Sequence, residues 1–75
     1  MILIKYYKIT MRTGKVKFFV ESKGFGFITD DETGKDIFVH VTGLKSNPIA
    51  EGALVEYIEE EGRKGKVATN VTVVG

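Results

Sequence analysis

From Gly14 onward, apolar and polar side chains alternate in short runs, and no stretch of about 11 residues carries the 3.6-residue apolar period of an amphipathic helix. The runs GKVKFFV (14–20), KGFGFIT (23–29), KDIFVHV (35–41), ALVEYIE (53–59) and KVATNVTVV (66–74) each read as a strand. Turn chemistry separates them at residues 30–34 and 61–65, and a loop holding Asn47 and Pro48 separates the third from the fourth. Five strands in about 60 residues predict an all-β fold, a five-stranded antiparallel Greek-key barrel with no long helix, because closure removes exposed sheet edges. Residues 11–75 are read as the one domain. Residues 1–10, MILIKYYKIT, are read as an N-terminal extension, either a disordered tail or a sixth strand.

Parity along these strands divides the side chains into two faces. One set, Val16, Phe18 and Val20, then Gly24, Gly26 and Ile28, then Ile37, Val39 and Val41, is apolar and suits a core; Val55, Tyr57, Ala68 and Val71 join it from the later strands. The opposite set collects Lys15, Lys17, Phe19, Phe25, Phe27, Asp36, Phe38 and His40. Buried lysines and an aspartate without partners would be costly, and contiguous phenylalanines in water mark a binding surface. Rings interleaved with lysines describe a face that stacks nucleobases and neutralises phosphates.

Charge sharpens this reading. The net charge is +1, and residues 11–75 hold nine basic against ten acidic residues once Lys5 and Lys8 are set aside. A polyanion would therefore have to meet cations gathered on one face. No cysteine is present, so there is no disulfide or thiolate metal site, and the one histidine cannot hold a zinc ion by itself. The N-terminal run is shorter than a secretory signal, and no stretch reaches the roughly 20 apolar residues of a membrane-spanning helix. A cytoplasmic location is the expectation.

GKVKFFVESKGFGFITDDETGKDIFVHVTGL, with EGALVEY and EGRKGKVATNV after it, resembles the cold-shock domain family, whose fold is an oligonucleotide-binding (OB-fold) barrel. The likeness runs from about Gly14 to Val73, and KGFGFI and DIFVH are similar to that family's two ribonucleoprotein-type motifs. KGFGF alone would also suit an RNA-recognition-motif domain, but that fold needs two helices for which this chain lacks the pattern. The resemblance implies that Lys17, Phe18, Phe19, Phe25, Phe27, Phe38 and His40 contact single-stranded RNA or DNA, with Lys15, Lys23 and Lys64 beside the strand. It sets Phe18 on the binding side, against parity; a bulge at Phe18 and Phe19 that turned both rings outward would reconcile the two.

The chain also departs from the family pattern. Phe18 stands where the family usually has Trp, Val20 where it has Asn, and Val41 where an aromatic often follows the histidine. Val67 replaces a polar residue, and the loop 42–51 is short and lacks an aromatic. At about 1–3 kcal/mol per base–aromatic stack, these changes predict binding weaker by roughly one to two orders of magnitude.

Other signals dissolve on inspection. Asp36 and His40 are about 13 Å apart at strand rise, too far for an acid–base dyad. GRKGK (62–66) lacks the Gly-Lys-Ser/Thr ending of a phosphate loop, and Asp30, Asp31 and Glu32 lack calcium-loop spacing and read as a solvated turn. The expectation is a monomeric, non-enzymatic binder of single-stranded RNA and DNA without cofactor or metal, acting as an RNA chaperone or regulator. The rival is a barrel turned to protein interaction through the same apolar patch.

Overall fold

The computed structural model describes residues 11–46, 48–62 and 65–75. The readings made for residues 1–10 lie outside these. Five strands appear: β1 (Met11–Val20), β2 (Phe25–Asp30), β3 (Asp36–His40), β4 (Leu54–Gly62) and β5 (Gly65–Val73). They close into a barrel in the order β1-β2-β3-β5-β4. The pairings β1–β2, β2–β3, β1–β4 and β4–β5 are antiparallel, whereas β3–β5 is parallel and short, Phe38 opposite Val67 and Val39 opposite Ala68. Pairing is therefore not antiparallel throughout, since the fourth strand crosses over before β5 returns beside β3. The helical content among the described residues is a single 3-10 turn, Val41–Gly43.

The core is most of the apolar set that alternation selected, without Phe18, which is exposed, and Val20, which is half-buried. Val16, Ile28, Ile37, Val39, Val55, Tyr57, Ala68 and Val71 are all buried, and Ile49 from the loop after β3 closes over them. Val41 departs from its expected place: β3 ends at His40, Val41 opens the 3-10 turn, and its side chain is 37% exposed.

Strict alternation fails at two bulges, and both shape the barrel. Ala68 and Val71 lie three positions apart, so a regular strand would send them to opposite faces. The β4–β5 register shifts between Glu56 and Ile58, and Asn70 takes a left-handed backbone at φ 53°, which returns Val71 to the interior. On β1 the register with β2 shifts between Val16 and Phe18. Lys17 and Phe18 are consequently exposed in succession, and the next ring, Phe19, packs against the core.

Gly26 shows why Phe19 points inward. A Cβ at Gly26 would strike the Phe18 carbonyl oxygen and lie 2.7 Å from Phe19 Cα and 2.8 Å from Phe19 Cδ1. The Phe19 ring occupies the space a side chain at Gly26 would need. Gly24 ends the β1–β2 turn at φ 73°, where its N–H donates to the Val20 carbonyl at 2.8 Å.

Asp30 is the polar centre of the fold, and it is not the solvated turn residue its sequence suggested. It is 2% exposed. Its Oδ2 accepts from Arg12 Nε at 2.6 Å and from the Tyr57 hydroxyl, and its Oδ1 accepts from Arg12 Nη2 at 3.0 Å. The same Oδ1 takes the backbone N–H groups of Glu32 (2.8 Å) and Thr33 (3.0 Å), which folds the turn into β3. A buried carboxylate is tolerated only with such partners. The Arg12 hydrogen bond, first among the causes, holds the Asp30 carboxyl well below the usual carboxylate range. Burial, then the hydrogen bond to Asp30, pushes the Tyr57 phenol above its usual value.

Candidate nucleic-acid interface

The β1 bulge, the β1–β2 register and the β2–β3 register together build one surface. Phe18 lies opposite Phe27, and Phe27 opposite Phe38, so three rings line up across three strands. Phe25 lies opposite His40 on β3 and Val20 on β1, one step along the same face. Ring centroids are 5.5 Å apart for Phe18–Phe27, 5.8 Å for Phe27–Phe38 and 6.0 Å for Phe25–Phe38. The four phenylalanines thus form one connected ribbon, in the order Phe18, Phe27, Phe38, Phe25.

Their mutual angles matter. Phe25 and Phe38 are within 21° of parallel, whereas Phe27 stands at 76° to Phe38 and 56° to Phe18. Tilted and edge-on packing suits the ring quadrupoles and fixes each ring with its outer part still in solvent. Phe18 is 37% exposed, and Phe25, Phe27 and Phe38 are half-buried. The ribbon lies on the sheet formed by β1, β2 and β3 and stays partly open above.

Cations border it. Lys15 and Lys17 are exposed on β1, and Lys23 is exposed in the turn before β2. Lys17 Nζ donates to Asp36 Oδ2 at 2.8 Å, and Thr29 donates to Asp36 Oδ1 at 3.0 Å. Lys17, acting first, and Thr29 pull the Asp36 carboxyl below its ordinary value. Asp36 thereby serves as the resident counterion of Lys17, a pairing that parity placed on one face but did not reveal. Both side chains are well exposed, so an incoming phosphate can compete for the ammonium.

His40 is exposed at the far edge, and its ring is oriented by the turn that follows. The Thr42 backbone N–H donates to His40 Nδ1 at 3.2 Å, and the Thr42 hydroxyl lies 3.0 Å from the same nitrogen. An Nδ1 that accepts leaves the proton of the neutral ring on Nε2. Thr42 is the residue that sequence reasoning missed here; a hydroxyl two positions after a strand-ending histidine is the signal that would have found it.

Of the sequence-expected residues, the structure brings together Lys15, Lys17, Phe18, Phe25, Phe27, Phe38 and His40 on this face, with Lys23 in the adjoining turn. Phe19 does not join them. The bulge turns Lys17 and Phe18 outward in succession, and the Phe19 ring goes to the core beside Gly26. Lys64 lies outside the described residues. Val67 is half-buried across from Phe38, an apolar border to the ribbon on β5. Among the described residues no group of three His, Cys, Asp or Glu side chains could hold a metal ion.

A closed five-stranded barrel of this strand order, with rings and lysines on the β1–β2–β3 face, defines an oligonucleotide-binding barrel. Residues 12–74 match the family described as the "cold-shock" DNA-binding domain, and the chain belongs to the cold-shock domain family. It is 47% identical over 68 residues to cold shock protein CspV of Vibrio cholerae, spanning 87% of this chain and 97% of the relative. It is 48% identical over 64 residues to the cold shock-like protein CspC of Escherichia coli K12, spanning 81% of this chain and 93% of the relative. A solved structure, Drosophila Unr CSD456, superposes with a TM-score of 0.74 at 22% identity, covering 89% of this chain and 28% of that one, and supports the fold alone. Cold-shock proteins are non-enzymatic nucleic-acid-binding proteins.

Proposed function

We propose that this chain binds single-stranded RNA and DNA with little sequence preference, through the ribbon of Phe18, Phe27, Phe38 and Phe25 and the donors at its margins. The observation that carries the reading is the ribbon itself: four partly exposed rings with centroid spacings of 5.5–6.0 Å, on a face that also carries lysines. Stacking selects the π-face that every base has, so it tolerates sequence. Lys15, Lys17 and Lys23 neutralise backbone phosphates, and His40 Nε2–H meets a base edge or the sugar–phosphate. Phe19 contributes by holding the β1–β2 corner in shape.

The mechanism needs no nucleotide hydrolysis. Bases held on the ribbon are withdrawn from hairpins, and the hairpin–strand equilibrium moves toward the open form by mass action. This is the action of an RNA chaperone, here a monomer in the cytoplasm, and opening transcripts in this way regulates transcription or translation. The test is fluorescence anisotropy of a labelled oligo-dT heptamer at low salt, comparing the parent with Phe25→Ala/Phe27→Ala. The parent binds and the doubly substituted chain loses about 100-fold or more in affinity, from two stacks of roughly 1–3 kcal/mol each. Unchanged affinity in a folded double variant would dismiss the ribbon as the site, and no binding by the parent would favour a protein-docking role.

A further inference from the structure

The parallel ladder between β3 and β5 is two pairs long, Phe38–Val67 and Val39–Ala68. Ahead of it the strands part. Asp36 and Ile37 pair with Thr29 and Ile28 of β2, while Gly65 and Lys66 pair with Gly62 and Glu61 of β4. A groove of about 420 Å³ lies where they separate, within the size range of small-ligand sites. Ile37, 8% exposed, gives it an apolar lining; Lys35 and Asp36 enter it from the start of β3, and Arg12, Glu59 and Lys66 from β1, β4 and β5.

These charges divide into committed and available ones. Arg12 is held by Asp30 at 2.6 and 3.0 Å and by Glu32 at 3.2 Å. Asp36 gives one carboxylate oxygen to Lys17 and the other to Thr29. Lys35 is exposed and makes no ion pair among the described residues. Lys66 stands 3.8 Å from Glu59 and 3.6 Å from Glu61, beyond hydrogen-bond length to either, and its side chain is 54% exposed. Two ammonium groups, one from each of the parting strands, can therefore turn to a stronger acceptor, and a phosphate oxygen is one. The lining as a whole carries three cations, Arg12, Lys35 and Lys66, against two acids, Asp36 and Glu59.

The groove adjoins the ribbon. Asp36 lines it and also holds Lys17, and Phe38, the third ring of the ribbon, lies two residues further along β3, about 6.6 Å at strand rise. We propose that a nucleic-acid strand lying on the ribbon continues past Asp36 into this groove, where Lys35 and Lys66 hold its phosphodiesters. The proposal rests on the reading of the ribbon given above and lengthens its reach by one or two nucleotides.

The test sets an oligo-dT pentamer, about one base for each ring of the ribbon and His40, against a nonamer that overruns it. Both compete with a labelled heptamer at low salt, for the intact parent chain, Lys35→Gln/Lys66→Gln and Glu59→Gln. The doubly substituted chain binds the pentamer within about twofold of the parent and the nonamer about tenfold more weakly, for two exposed ionic contacts. Its log-salt slope for the nonamer is shallower by roughly 1.4, two phosphates at about 0.7 each. Glu59→Gln removes a carboxylate from the groove and tightens the nonamer alone by about threefold, a gain that a damaged fold would not produce. In the ¹⁵N-labelled parent the Lys35 and Ile37 amides shift with the nonamer and not with the pentamer. An equal change at both lengths, or amides that stay in place with the nonamer, would overturn the proposal while leaving the ribbon intact. A parent chain that binds neither length would sink the ribbon and this extension together.

Discussion

Phe18 and Phe19 are neighbours in sequence with opposite fates, and Phe19→Ala set against Phe27→Ala separates the two roles. Phe27 is the middle of the ribbon, 5.5 Å from Phe18 and 5.8 Å from Phe38. Truncating it removes one stacking platform, about 1–3 kcal/mol, and also the lateral support of two others, so the loss falls at the upper end, near 3 kcal/mol or about 100-fold in affinity. Its cost in stability is smaller than that of Phe19, since the Phe27 ring lies on the outer face and not against the core. Phe19 packs against the core, and its truncation leaves a cavity beside Gly26. Full burial of a phenylalanine would cost about 3–5 kcal/mol on truncation, and partial burial brings this to roughly 2–3. For a domain of this size that lowers Tm by about 10–20 °C. The assay is a thermal melt for each variant, followed by oligo-dT anisotropy near 5 °C. Phe27→Ala melts close to the parent and binds about 100-fold more weakly; Phe19→Ala melts much lower and binds within about threefold of the parent while folded. Equal losses of affinity in two folded variants would refute the assignment of Phe19 to the interior.

Three further outcomes follow from the geometry. Asp30 titrates well below an unfolded aspartate, so its contribution is full above about pH 4 and drains away as acid protonates it; Tyr57, displaced upward, adds a second decline above about pH 10. Asp30→Asn should flatten the acid limb of a stability–pH profile read by urea melts and cost about 3 kcal/mol at pH 7, and an unchanged limb would deny Asp30 its part in acid stability. Gly26→Ala forces a Cβ against the β1 backbone and should destabilise by at least about 3 kcal/mol in the same melts, while a parent-like melt would show that β1 can yield there. Binding should weaken with log salt at a slope near −2, for about three phosphates, and Asp36→Asn, by releasing Lys17 from its counterion, should steepen that slope by roughly 0.7.

The strands and the core were legible because Val16, Ile28, Ile37, Val39, Val55 and Tyr57 obey simple alternation, and nothing but burial explains that pattern. What alternation could not show is where it breaks. The bulge on β1 exchanges the fates of Phe18 and Phe19, and the one at Asn70 lets Ala68 and Val71 share the interior. Both arise from barrel closure, a property of the whole sheet that no single run of residues displays. The family resemblance set Phe18 on the outer face, where the structure exposes it and parity did not, yet it also grouped Phe19, which packs against the core, with the ribbon. Asp30 was read as a solvated turn because its decisive partners are distant, Arg12 18 residues upstream and Tyr57 27 residues downstream. A tyrosine that alternation sends to the interior needs an acceptor for its hydroxyl, which is the clue Tyr57 offered. Pairing of Lys17 with Asp36 likewise spans 19 residues and follows only from the strand registers.

The most direct measurement is an NMR titration of the intact chain with oligo-dT, following the aromatic and methyl resonances together. The ring signals of Phe18, Phe25, Phe27, Phe38 and His40 should shift and show contacts to base protons, while Tyr57 and the methyls of Val16, Val39 and Val71 stay in place. Ring signals that remain still while another surface responds would contradict the account.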